Sequence, residues 1–185
     1  MAGVVLAAGA GTRFGGGKQL AELDGMPLLE HALRAMASAP VGDRIVVLGS
    51  GADAIVDTVD LHGVRPVVCE GWAEGQAASL REAVAAAGNA DAVVVTLGDQ
   101  PRIAARAIAA MVAARGGGAQ AVRATYDGTP GHPVLIEREL FPALRALSGD
   151  VGARAVLRGA AVTGVPCDGL GDPGDVDVPS DLCGT

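Results

Sequence analysis

A chain of 185 residues suits one compact domain with small appendages, and its 50% apolar positions can bury a sizeable core. The net charge of −7 argues against a general nucleic-acid or anionic-membrane surface, though not against a local cationic pocket. Three cysteines without metal-ligand spacing, and no apolar run near the ~20 residues of a membrane span, exclude a disulfide scaffold and a transmembrane protein.

Met1 leads into a strand-like run with no early Lys or Arg, unlike a secretory leader, so a cytoplasmic protein with reduced Cys69, Cys167 and Cys183 is expected. Short β-branched runs then alternate with Ala/Leu-rich stretches. Strands are predicted at Val4-Val5-Leu6, Ile45 to Leu48, Val64 to Cys69 and Ala92 to Leu97, all nearly continuous apolar runs of the kind that parallel strands covered on both faces require. Helices are predicted at Pro27 to Ala39, Ala77 to Ala87 and Ile103 to Arg115, the last stopping at three glycines. After Gly118 follow a strand at Gln120 to Thr125, a turn at Asp127 to Pro130, an extended Pro133 to Ile136 and more helix. The β-α-β-α order predicts an α/β fold, a three-layer, doubly wound, mostly parallel sheet with right-handed crossovers. Residues 1–185 read as a single domain: residues 1–118 form its nucleotide-binding half, and residues 119–185 a lid or acceptor-binding extension.

The loop after the first strand carries the strongest chemical signal. Gly9, Gly11, Gly15, Gly16 and Gly17 allow successive backbone amides to face one point, and Arg13 and Lys18 add full charges. Lys18 is the only lysine beside thirteen arginines, and a compact ammonium inside a glycine loop suits close contact with a phosphate. The alternative is a flexible glycine-rich turn. A P-loop is excluded because Thr12 stands at the first glycine position and Gln19 follows the lysine; a dinucleotide fingerprint fails at Phe14. Residues 1–21 contain no acid, whereas residues 159–185 contain Asp168, Asp172, Asp175, Asp177 and Asp181 and no base. Asp99 follows the fourth strand in Leu97-Gly98-Asp99-Gln100-Pro101. A doubly wound sheet places that strand beside the first, so Asp99 is expected to face the glycine loop; capping of the next helix is its alternative role.

The run Leu6-Ala7-Ala8-Gly9 through Gly11, Thr12, Arg13 and Lys18 resembles the LAAGxSxRMGxxK signature of the MobA-like NTP transferases, closest to their molybdenum cofactor cytidylyltransferase (MocA) branch. The resemblance continues in order through Pro27-Leu28-Leu29, Gly75 to Leu80, Leu97 to Pro101, Gly131-His132-Pro133, Gly149 to Arg154 and Asp175 to Leu182. It departs at Glu70, where the family often has Asn. The resemblance implies a Rossmann-like nucleotidyltransferase fold that binds a nucleoside triphosphate through the first loop. It further implies that Gly75, Gln76 and Ser79 contact the base, and that Asp99 and Asp177 hold Mg2+. Asp175 is the alternative second carboxylate, since alternation along Asp175-Val176-Asp177 would turn both to one side of a strand.

By the same resemblance, CMP passes from CTP to molybdenum-loaded molybdopterin, with GTP or another phosphorylated acceptor as the alternative. His132 lies in the acceptor-binding part, and Arg154 and Arg123 are candidate partners for the acceptor's phosphate. A downstream molybdoenzyme of the xanthine dehydrogenase type is implied as a partner. No nucleophile–base arrangement is evident; an attacking phosphate needs none, so catalysis is expected from alignment and charge neutralisation by Lys18, Arg13, the loop amides and Mg2+, with Asp99 acting through the metal it holds. A non-catalytic carrier of the finished cofactor is the competing reading from another class.

Overall fold

The computed structural model describes residues 1–183, without the side chain of Cys183. The chain opens with β1 (Ala2–Ala7), a short hairpin of β2 (Glu22–Leu23) and β3 (Met26–Pro27), and α1 (Leu28–Ala37). Next come β4 (Asp43–Leu48), α2 (Ala52–Thr58), β5 (Arg65–Val68), α3 (Gln76–Ala86), β6 (Ala92–Leu97) and α4 (Ala105–Ala113). Then follow β7 (Ala121–Tyr126), β8 (Thr129–Glu137), α5 (Phe141–Arg145), α6 (Arg154–Leu157) and β9 (Val162–Pro166).

Seven strands form one sheet in the order β5-β4-β1-β6-β8-β7-β9. β1 is buried along its whole length, and its neighbours β4 and β6 both run parallel to it, as the unbroken apolar runs predict. β8 is antiparallel to both β6 and β7. The residues beyond Gly118 thus widen the same sheet, and β9 closes its far edge parallel to β7.

Alternate residues of β1 feed two cores. Val5 and Ala7 pack with Leu29, Leu33 and Met36 of α1 and with Ile108 and Met111 of α4. Val4 and Leu6 pack on the opposite face with Leu80 and Val84 of α3 and with Phe141 and Leu144 of α5. This is the three-layer α/β sandwich expected from the sequence.

Three features differ from the sequence reading or add to it. α4 begins at Ala105 rather than Ile103, because Ile103 forms a bridge with Gly171. α2 and β9 are elements that the sequence reading does not contain. Residues 172–178 carry no strand, so the expected alternation of Asp175 and Asp177 gives way to a backbone path set by other contacts. Cys69 and Cys167 are buried and free. Among the described residues, no helix is long and apolar enough to cross a membrane.

Phe141 is 1% exposed and fills the α3–α5 layer. Phe141→Ala is expected to cost about 3–5 kcal/mol in urea denaturation, and a loss below about 1 kcal/mol would contradict this packing.

Candidate active site

The parallel pairing of β1 and β6 ends both strands at one edge, with Leu6 opposite Leu97. There the Gly98 amide donates to the Leu6 carbonyl at 2.9 Å. A Cβ on Gly98 would stand 2.8 Å from the Ala7 Cβ, so only glycine fits where the chain turns outward. Asp99 follows and reaches the loop that leaves β1.

That loop is shaped by backbone conformation. Gly11, Gly15, Gly16 and Gly17 have φ of 62°, 97°, 94° and 64°, a region that strains L side chains. The Phe14 and Gly16 amides both donate to the Gly11 carbonyl, at 2.9 and 3.1 Å. Buried Gln19 ties down the base of the loop, its Nε2 donating to the carbonyls of Ala7 (3.0 Å) and Gly9 (2.7 Å).

Lys18 projects from this frame into a cluster of charges. Its Nζ lies 2.8 Å from Asp99 Oδ2 and 3.5 Å from Asp177 Oδ1, and its side chain is 11% exposed. Arg13 Nη1 lies 2.7 Å from Asp177 Oδ2 but is exposed, and such a pair is weak enough for the guanidinium to exchange partners. Asp99 does not cap α4, whose N-cap is Ala104 with no side-chain cap.

The tail reaches this place through contacts far apart in sequence. The Val176 amide donates to the Asp99 carbonyl at 2.9 Å, and the Val176 side chain is buried against Leu23 and Leu28. Asp181 Oδ2 accepts from the amides of Asp177 (2.8 Å) and Val178 (2.9 Å). Gln100, also buried, donates through Nε2 to Asp175 Oδ1 (2.8 Å) and to the Pro173 carbonyl (2.9 Å). Burial, more than any other influence, raises the Asp175 pKa; Asp99 and Asp177 add to it, while the Gln100 hydrogen bond opposes it. The two candidate tail carboxylates thus separate: Asp177 meets Lys18 and Arg13, and Asp175 is held by Gln100.

The charged cluster lines a cavity of about 360 Å3 with Leu6, Ala7, Gly9, Gly11 and Thr12. Leu6, Gly9, Thr12, Asp99 and Asp150 also line an adjoining cavity of about 580 Å3, which continues over Ala8, Trp72, Gly75, Gln76 and Ser79. A Cβ on Gly75 would come within 2.6 Å of the Asp150 amide nitrogen, so what approaches this glycine in the structure is the 149–150 segment. Asp150 Oδ1 accepts from the Gln76 amide at 3.3 Å, capping α3 from 74 residues away. Ser79 is buried on the cleft floor.

Of the three proposed acceptor residues, Arg123 and Arg154 share a pocket that His132 does not line. His132, in β8, is close enough to feel both Arg123 and Asp99. Burial holds its imidazole pKa down at about 4, with Arg123 adding to the shift and Asp99 opposing it. Arg154 instead lines a separate pocket with Arg123. Glu70 is exposed and lines neither cavity.

Gln19, Gln100, Trp72 and Asp150 escaped sequence reasoning as site residues. Gln19 and Gln100 adjoin Lys18 and Asp99 directly, Asp150 falls within the quoted Gly149 to Arg154 segment, and Trp72 is the only tryptophan.

Asp99 and Asp177 offer hard oxygen donors suited to a divalent cation. Among the described residues, no three His, Cys, Asp or Glu side chains form a closed metal cage. Two carboxylates form a donor set that a divalent cation could complete with water and phosphate oxygens.

The model of the MobA-like NTP transferase domain matches residues 3–165. A curated relative, the nicotine blue oxidoreductase of Paenarthrobacter nicotinovorans, is 34% identical over 164 residues, covering 84% of this chain and 80% of that protein. The crystal structure of Rv0371c from Mycobacterium tuberculosis H37Rv has a TM-score of 0.88 at 33% identity, over 98% of this chain and 94% of that one. The structure of Rv0371c in complex with manganese has a TM-score of 0.84 at 31% identity, over 98% and 95%.

Two measurements test this geometry. Gln19→Leu leaves two loop carbonyls without their donor and is expected to weaken triphosphate binding by about tenfold in calorimetry; unchanged affinity would contradict its role. Because the folded His132 pKa lies below the usual value near 6.5, the neutral ring's contribution is complete above that value and is lost as pH falls toward about 4. Wild type should therefore lose up to about 3 kcal/mol more stability than His132→Gln between neutral pH and about pH 4, and parallel losses would contradict the buried neutral imidazole.

Proposed function

The chain belongs to the MobA-like NTP transferase family, and from that premise we propose that it transfers CMP from CTP to the phosphate of molybdenum-loaded molybdopterin, releasing pyrophosphate. The observation that carries this reading is the cluster of Lys18, Arg13, Asp99 and Asp177 at the mouth of the glycine loop. One ammonium, one guanidinium and two carboxylates are the groups that a metal triphosphate would engage. In the structure they pair with one another. A triphosphate in the cavity would draw Lys18 and Arg13 to its phosphate oxygens, leaving Asp99 and Asp177 as the carboxylates that would hold Mg2+. A divalent cation bound there supplies charge neutralisation on the phosphate oxygens of substrate and leaving group.

The chain's own contribution is alignment. The amides of the Gly9–Lys18 loop and the Lys18 ammonium fix the triphosphate, so that an oxygen of the acceptor phosphate faces the α-phosphorus opposite the departing pyrophosphate. The new bond joins that oxygen to the α-phosphorus, and the bond that breaks joins the α-phosphorus to the oxygen bridging to the β-phosphorus. An ionised phosphate needs no deprotonation. Gln76, Ser79 and Trp72 line the cavity beyond the phosphates and are the groups nearest to hand for a base.

The relative named as an oxidoreductase raises a redox reading on the same chain plan. The charged cluster favours group transfer, because a paired ammonium and two carboxylates have no evident task in moving electrons.

The test combines purified protein, Mg2+ or Mn2+, molybdenum-loaded molybdopterin and each NTP in turn, with pyrophosphate as the readout. CTP-dependent release is expected; release with GTP alone would reassign the base, and none with any nucleotide would favour the carrier. Loss of one charged donor removes about 3–4 kcal/mol of transition-state stabilisation, so Lys18→Ala and Asp99→Ala should each lower turnover at least about a hundredfold. Near-normal turnover in a folded variant would overturn the role of that residue.

A further inference from the structure

A second pocket, of about 260 Å3, lies between β7, β9 and α6. Arg123, Thr125, Arg154 and Arg158 line it. Arg123 and Thr125 alternate along β7 with Val122, Ala124 and Tyr126, which pack in the α1–α4 layer, so both face the opposite side of the sheet. That side carries α3 and the floor of the nucleotide cleft, and Leu157 of α6 packs into its core. The pocket and the cleft therefore share one face.

The charge balance in this pocket is unusual for so acidic a protein. Arg13, Arg65, Arg81 and Arg115 each pair with a carboxylate. Among the described residues, no carboxylate lies within ion-pair distance of Arg123, Arg154 or Arg158. Arg123 is half-buried and makes only long contacts, to the carbonyls of Gly131 (3.4 Å) and Pro130 (3.5 Å). Burial and, next, the neighbouring Arg154 lower its pKa. Arg154 and Arg158 are exposed, and with Arg123 they gather three like charges beside a hydroxyl without a counter-ion; an oxyanion would neutralise them, and guanidinium forks match phosphate and carboxylate geometry.

Position narrows the ligand. β7 is two strand intervals, about 10 Å, from β6, and Arg123 stands in register with Val134 and Val95, about 13 Å along the strand before Asp99, so the two positions lie roughly 16 Å apart. His132 bridges that interval and is influenced by the charges at both ends.

We propose that Arg123, Arg154 and Arg158 bind an oxyanion group at the end of the acceptor remote from its attacking phosphate. The acceptor is then an elongated molecule with an anionic group at each end, its middle lying along His132. This assignment rests on the transfer reading above.

Two arms test it. In the first, inorganic phosphate is titrated into isotopically labelled protein while the arginine Nε–Hε signals are followed by NMR. Saturable shifts are expected at Arg123, Arg154 and Arg158, and Arg154→Gln/Arg158→Gln should weaken that binding at least about tenfold while the Gly9–Lys18 amides still respond to Mg·CTP as in wild type. No saturable shift at these arginines would overturn the anion site, whatever the glycine loop does. In the second, steady-state transfer to molybdenum-loaded molybdopterin is measured. Arg158→Gln should raise the acceptor KM by about tenfold and leave the KM for CTP within about twofold. An unchanged acceptor KM despite phosphate binding in the first arm would overturn the acceptor assignment and leave a site for free anions. Failure of the wild type to transfer CMP would count against the proposed reaction, whereas the phosphate titration would still decide whether the three arginines form an anion site.

Discussion

The contact between Lys18 and the carboxylates of Asp99 and Asp177 depends on more of the molecule than any other. A single ammonium, 2.8 Å from one and 3.5 Å from the other, draws together the amino-terminal loop, the end of the fourth core strand and the tail. Each of those parts is held in place by something else. The parallel pairing of β1 and β6 brings the first two to one edge, and the Val176 amide bound to the Asp99 carbonyl brings the third. The cluster is electrostatically satisfied, which lets a largely buried lysine exist at all. On the proposed reading, phosphate oxygens replace the carboxylates around Lys18, and a cation replaces the ammonium between the carboxylates.

Around that contact the fold supplies rigidity. Gln19 and Gln100 are buried amides that tie loop carbonyls and the tail to the sheet, and neither touches the cavity's charges directly. Asp150 reaches from the far half of the chain to cap α3, so the segment that encloses the pocket's second part also fixes the helix carrying Gln76 and Ser79. The Arg123, Arg154 and Arg158 pocket lies beyond that segment on the same face, so a molecule crossing from Asp99 toward β7 meets neutral His132 and then concentrated positive charge.

The features legible in the sequence were those with a local cause. Unbroken apolar runs marked β1, β4 and β6 because strands buried on both faces leave no room for polar alternation, whereas β5, at the sheet edge, is mostly exposed and is not the doubly covered strand its run suggested. The glycine loop was legible because four of its residues must adopt positive φ, and Asp99 because strand β6 was expected beside β1. What stayed hidden depended on contacts distant in sequence. β8 slots between β6 and β7, an order that no periodicity encodes. Nothing in Asp175-Val176-Asp177 reveals that Val176 is an anchor buried against Leu23 and Leu28, with the two aspartates held by different partners. The grouping of Arg158 with Arg123 and Arg154 likewise requires β7, β9 and α6 to be in place first.

The account stands on the claim that a triphosphate completes a divalent-cation site only begun by Asp99 and Asp177. Electron paramagnetic resonance of free Mn2+, titrated with protein in the presence and absence of CTP, tests this most directly. CTP should tighten Mn2+ binding beyond its own affinity for the ion, by at least about tenfold, and Asp177→Asn should remove that gain. Mn2+ affinity that is the same with and without nucleotide, or a gain that survives the loss of the Asp177 charge, would contradict it.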